Sequence, residues 1–135
     1  MTRDPACCGP DVTLSDVAKL MARYATDSIP VVGNPALRSP LLGILTDRDI
    51  VCRAVAADRN PTETTAKECM TRPLLTLRLE QEAGEATRLM TRERARRVPV
   101  IDQNGKLCGI VTQAQITRAL AKGVDAEAVA AHKSS

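Results

Sequence analysis

The segment Gly43-Ile-Leu-Thr-Asp-Arg-Asp49 carries the most suggestive chemistry in this chain. Thr46 places a hydroxyl where a helix should begin, and Asp49 follows three residues later, one turn on and on the same side. A glycine in a short strand lets backbone approach a flat ring closely, and a hydroxyl at a helix start can donate to or accept from a sugar or a phosphate. A carboxylate offers acceptors only, and a cis-diol offers two donors, so Asp49 is suited to two neighbouring ribose hydroxyls. The same spacing is also that of a capping box, in which the side chain three residues on reaches back to the cap amide. Thr112-x-x-Gln115 repeats it with a neutral amide, which suits a capping box and would bond a hydroxyl more weakly than a carboxylate does.

Arginines form the second candidate cluster. Arg88, Arg92, Arg94, Arg96 and Arg97 against Glu93 give +4 in ten residues, within a chain of net charge +3. Residues 1–60 carry seven basic and seven acidic groups, and 61–135 carry twelve and nine, so the excess is local. A nucleic-acid interface on the Arg88–Arg97 stripe would weaken steeply with salt. Tyr24 is the only Tyr, Phe or Trp, however, which leaves no aromatic platform for bases. The stripe also reads as a solvated helix end favoured by the helix dipole.

The five cysteines, an odd number, make no disulfide framework, and no C-x-x-C spacing occurs. His132 is the sole histidine, so no zinc set by the usual ligand rules is expected. Cys7 and Cys8, adjacent on a strand, would point to opposite faces as packing residues rather than as a redox pair. No nucleophile and base constellation suggests an enzyme.

The elements that must position these groups come as a repeat. Asp16-Val-Ala-Lys-Leu-Met21 with Ser28-Ile-Pro-Val-Val32 matches Glu85-Ala-Thr-Arg-Leu-Met90 with Arg97-Val-Pro-Val-Ile101 at a constant offset of 69. Leu42-Gly-Ile-Leu-Thr46 matches Cys108-Gly-Ile-Val-Thr112 at an offset of 66, so the first copy has a loop three residues longer. Each copy predicts β-α-β-β-α: strands near Ala6–Cys8 and Leu74–Leu77, then helices with Leu14, Val17, Leu20, Met21 and Ala83, Ala86, Leu89, Met90 inward. Strand pairs follow at Ile29–Val32 with Leu41–Leu45 and at Val98–Ile101 with Leu107–Val111. Asn104-Gly105 signals a tight hairpin between the last two. Second helices begin at Thr46 and Thr112, carrying Ile50, Val51, Ala54, Val55 and Ile116, Ala119, Leu120. Asn60-Pro61 breaks the chain, and Thr62–Met70 predicts a short connecting helix. The division is residues 1–60, 61–122 and an Ala-rich tail, 123–135.

With 135 residues, the chain has the size of one compact domain or two fused half-domains, and at 44% hydrophobic and 26% charged residues its composition is ordinary for a globular protein. Apolar runs fall short of the ~20 residues that span a bilayer, and Met1-Thr-Arg-Asp-Pro5 is not a secretory signal. A cytoplasmic setting is expected.

Met70-Thr-Arg-Pro73, Arg97-Val-Pro-Val-Ile101, Asn104-Gly105, Gly109-Ile-Val-Thr112 and Gly43-Ile-Leu-Thr-Asp-Arg-Asp-Ile50 together resemble a tandem pair of CBS (cystathionine β-synthase) domains, a Bateman module, over roughly residues 1–122. The resemblance implies an α+β fold of two repeats about a pseudo-twofold axis, with clefts that hold adenosine nucleotides or related adenosyl ligands. It implies a stand-alone, bacterial-type module that is regulatory and not catalytic, forms a homodimer and passes its ligand state to that dimer or to a partner protein. By family position Asp49 would bind ribose with Thr46 beside it, and Ile44 would meet the sugar and base edge. Leu74 and Leu75 would lie on the adenine, and Arg97, with Arg96 as a second candidate, would meet the phosphate. Ser28 stands at the position matching Arg97, so the other cleft, with Ser28, Ile110, Thr112 and Gln115, lacks that charge and the family's Asp. AMP, ADP, ATP and S-adenosylmethionine are candidate ligands, and no cofactor is required. A dimerisation or adaptor domain without ligand is the competing expectation.

Overall fold

The structure is a computed structural model that describes residues 1–73, 75–93, 96–112, 114, 115 and 118. Helix α1 (Leu14–Tyr24) begins where Thr13 accepts a hydrogen bond from the amide of Asp16, 3.3 Å away. Leu14, Val17 and Met21, one stripe at helical spacing, are buried beneath it. It stops at Ala25, whose left-handed φ of 51° turns its N–H back onto the Met21 carbonyl.

Strands β2 (Ser28–Asn34) and β3 (Ser39–Thr46) then pair antiparallel. Ser28 stands opposite Thr46 and Val31 opposite Gly43, with a bulge between Val31 and Val32. Helix α2 (Asp47–Ile50) follows directly and runs into a π-helical turn, Val51–Val55. A short helix, α3 (Ala66–Cys69), is capped by Thr65 and Glu68. Leu14, Val17, Ile29, Val31, Leu45, Ala54, Ala66 and Cys69 form one aliphatic core with Cys8 and Met21. These elements make one compact unit, Ala6–Arg72.

The other unit joins Met1–Pro5 to the described residues from Pro73 onward. Its sheet has the order β1 (Thr2–Arg3), β6 (Leu107–Thr112), β5 (Arg97–Ile101), β4 (Leu77–Arg78), with α4 (Ala83–Glu93) between β4 and β5 in the chain. Arg97 stands opposite Thr112 and Val100 opposite Gly109, and the bulge falls between Val100 and Ile101. These pairings are those of β2 and β3 shifted by the repeat offsets, bulge included. Met1, Leu77, Ala86, Met90, Val98, Val100 and Val111 form its core.

Several local expectations change. The strand expected at Ala6–Cys8 reduces to one parallel bridge from Cys8 to Val31, its amide bonded to the Pro30 carbonyl at 3.0 Å. The strand expected at Leu74–Leu77 is Leu77–Arg78, and the Thr62–Met70 helix is only Ala66–Cys69, because Asn60 and Thr62 are engaged in a turn. Asn104-Gly105 is part of a longer turn in which Gly105 takes φ +80° and the Asp102 carboxylate accepts from the amides of Asn104 and Lys106. Ile116, Ala119, Leu120 and the tail lie outside the described residues.

Cys8 is buried, and that burial, with the neighbouring Cys7, pushes its thiol pKa up to about 11. The folded state thus keeps a proton that the unfolded chain releases near an ordinary thiol pKa of about 8.5. Its contribution to stability is complete below that value and is lost as pH rises toward 11. Urea unfolding between pH 8 and 11 should show a decline that is shallower in Cys8→Ala.

Candidate functional site

The site grows out of the junction of β3 and α2. β3 ends at Thr46 in extended conformation, and α2 begins one residue later, so the chain must supply donors and acceptors at that turn. It does so reciprocally: the Asp49 amide donates to Thr46 Oγ1 at 3.1 Å, and the Thr46 amide donates to Asp49 Oδ2 at 3.0 Å. The capping box is therefore real.

It does not exhaust the carboxylate. Asp49 Oδ1 accepts from the Thr71 hydroxyl at 3.1 Å and faces Arg53 Nε at 3.7 Å. The Asp49 side chain is 12% exposed, whereas Arg53 is half exposed, so the acid is largely enclosed by its partners and the base reaches solvent. Arg53 also donates to the Met70 carbonyl at 3.3 Å. Thr71 is fixed from the other side by its amide and carbonyl, bonded to the Ile44 carbonyl and amide at 2.9 and 2.8 Å. Thr46, Asp49, Arg53, Ile44 and Thr71 thus form one cluster at the end of β3. A hydrogen-bonded carboxylate beside a hydroxyl and a guanidinium can take further hydroxyl donors.

Glycine makes the close packing possible. A Cβ on Gly43 would lie 2.7 Å from Met70 Sδ and 3.0 Å from the Thr71 carbonyl oxygen. Gly109 is crowded in the same way by the side chain of Met1. Gly43→Ala is expected to destabilise the protein by about 1–3 kcal/mol through overpacking. Adding Met70→Ala should restore part of that loss in urea melts, because it removes the nearest obstacle.

Of the residues expected in a binding site, the structure brings Thr46, Asp49 and Ile44 together in the unit Ala6–Arg72. Ile44 is buried, with its backbone committed to Thr71. Ser28 is buried in the same unit, opposite Thr46, and its amide donates to Thr26 Oγ1. Leu75, half-buried against the Leu77 core, and the exposed Arg96 and Arg97 belong to the other unit. Leu74 and Arg94 lie outside the described residues. Ile110 is buried opposite Pro99, and Thr112 and Gln115 form a second capping box at 2.9 and 3.2 Å.

Arg53 and Thr71 were not among the expected site residues. A signal for Thr71 is present in the sequence: Met70-Thr-Arg72 copies Met1-Thr-Arg3 at the same offset of 69. In the structure Thr71 bridges to Ile44 as Thr2 pairs with Ile110. Arg53 has no such signal, since its counterpart at the offset of 66 is Ala119.

A family model described as CBS domain matches the chain twice, over residues 1–55 and 66–122. An uncharacterized protein of Methanopyrus kandleri is 35% identical over 114 residues, 84% of this chain and 57% of that protein, so the chain spans little more than half of that relative. Hypoxic response protein 1 of Mycobacterium tuberculosis is 34% identical over 120 residues, 89% of this chain and 81% of that protein. A solved structure of Hypoxic Response Protein I, with two coordinated zinc ions, superposes with a TM-score of 0.75 at 34% identity, covering 87% of this chain and 92% of that one. The zinc ions belong to that structure. Among the described residues here, no group of three or more His, Cys, Asp or Glu side chains could hold a metal ion, and no helix is long and apolar enough to cross a membrane.

Proposed function

The chain belongs to the CBS domain family and carries that domain twice, and from that premise we propose that it is a regulatory module that binds an adenosine nucleotide through Asp49. The observation that carries the reading is the Asp49 carboxylate, held by the Thr46 amide, Thr71 and Arg53 at the end of β3. Rigid support of this kind lowers the cost of ordering a recognition group when a ligand arrives. Thr46 keeps a hydroxyl hydrogen for the ligand, because its oxygen is the acceptor in the capping box. Ile44 is assigned the sugar and base edge, Leu74 and Leu75 the adenine, and Arg97 with Arg96 the phosphate, whose planar guanidinium fork suits such oxygens.

The matching position of the second repeat is proposed not to recognise a diol strongly. Gln115 already spends its carbonyl oxygen on the Thr112 amide and has no anionic acceptor left. The module is assigned no catalytic step; it passes ligand state to a second copy or to a partner protein in the cytoplasm. A twofold dimer is the simplest assembly that could do so. Titrations with AMP, ADP, ATP and S-adenosylmethionine test the binding, and light scattering across saturating ligand tests the transmission. Binding near one site per chain with an altered scattering mass or radius is expected. Silence from all four ligands would favour an adaptor without ligand.

A further inference from the structure

We propose that Arg53 is a specificity-determining residue of the Asp49 site, selecting a ligand that carries a phosphate on its ribose over the bare nucleoside. This rests on the reading of Asp49 as the ribose acceptor.

A carboxylate that accepts a diol repels a phosphate on the same sugar, because the two anions are separated by little more than one small ring. Asp49 is only 12% exposed, so water and salt screen that repulsion poorly. A site built on Asp49 alone would therefore favour adenosine over AMP. Among the described residues of this unit, Arg53 is the cation that faces Asp49, with Nε 3.7 Å from Oδ1. At that distance the contact is an ion pair rather than a hydrogen bond, so it offsets the charge and leaves the acceptor sites open to a diol.

The guanidinium also has donors to spare. One N–H on Nη1 donates to the Met70 carbonyl at 3.3 Å and Nε–H faces Asp49, while the two on Nη2 carry no hydrogen bond among the described residues. Held from two sides and half exposed, the fork is ordered beside the acceptor before a ligand arrives, and its geometry matches phosphate oxygens.

Two further observations agree. Arg53 lies in the π-helical turn Val51–Val55, an uncommon element that recurs at functional sites, and it is exposed there while the adjacent Ala54 is buried. The repeat supplies an internal comparison: the offset of 66 that matches Asp49 with Gln115 matches Arg53 with Ala119. The carboxylate and the guanidinium occur together in one repeat, and both are missing from the other.

Calorimetric titration of adenosine and AMP into the wild-type chain, Arg53→Gln and Arg53→Lys tests this. The wild type should prefer AMP, and Arg53→Gln should weaken AMP about three- to tenfold while adenosine stays within about twofold. Arg53→Lys, which keeps the charge and loses the fork, should retain part of the preference. Equal weakening of both ligands in Arg53→Gln would show that Arg53 only holds Asp49 in place, and unchanged AMP affinity would show that it does not meet the ligand. Either result, or a wild type that binds adenosine at least as tightly as AMP, would overturn the selection and leave the ribose reading intact. Binding of neither ligand by the wild type would overturn both.

Discussion

Asp49→Ala is expected to weaken AMP binding by about ten- to a hundredfold. Charge-assisted hydrogen bonds from two ribose hydroxyls to a carboxylate are worth about 1.5–3 kcal/mol, and alanine supplies none of them. The substitution has a second effect that must be separated from the first. It frees the Thr46 amide, to which Asp49 Oδ2 is bonded in the capping box, and so should lower stability by about 1 kcal/mol. Urea melts measure that loss, and titration well below the unfolding midpoint measures the affinity of folded protein. Gln115→Ala removes the equivalent capping contact in the other repeat and is expected to leave AMP affinity near wild type. Equal effects of the two substitutions on affinity would contradict the assignment of the site to Asp49.

Leu45→Ala carries the largest expected loss of stability. Leu45 is fully buried in β3, opposite Ile29, within the cluster that also holds Leu14, Val17 and Ala54. Truncating such a leucine removes its transfer free energy and leaves a cavity, at a cost of about 2–5 kcal/mol, against a total of about 5–15 kcal/mol for an ordinary domain. The site should suffer as well, since Leu45 is the strand residue immediately before Thr46 and its burial anchors that end of β3. Chemical unfolding would check it, and a loss below about 1 kcal/mol would show that the core of this unit is not built as described.

The repeat was legible because an amphipathic helix and a strand pair leave periodic apolar signals, and two copies of them share a fixed offset. That legibility extends to geometry: the bulge between Val31 and Val32 recurs between Val100 and Ile101. The path of the first strand was not legible from local pattern. Thr2 and Arg3 pair with Ile110 and Gly109, more than a hundred residues away, and a two-residue strand has no periodicity to read. The copied Met-Thr-Arg triplets were the available clue, since Met1 and Met70 both pack on a glycine of the last strand in a unit. The capping box and the candidate acceptor share one spacing, so the sequence left both readings of Asp49 open. The structure establishes the first and adds Thr71 and Arg53. Thr71 lies 22 residues on from Asp49, beyond the reach of any local motif, whereas Arg53 stands at i+4, the ordinary spacing of an ion pair on a helix face.

Recognition of a ribose diol by the Asp49 carboxylate is the step on which the proposed function stands. Its most direct test is calorimetric titration of AMP and 2′-deoxyadenosine 5′-monophosphate into the wild-type chain and into Asp49→Asn, which keeps an acceptor for the Thr46 amide while removing the charge. The wild type is expected to bind AMP about tenfold or more tightly than the deoxy compound, and Asp49→Asn to lose most of that preference. Equal affinity of the wild type for the two nucleotides, or a preference that survives unchanged in Asp49→Asn, would contradict it.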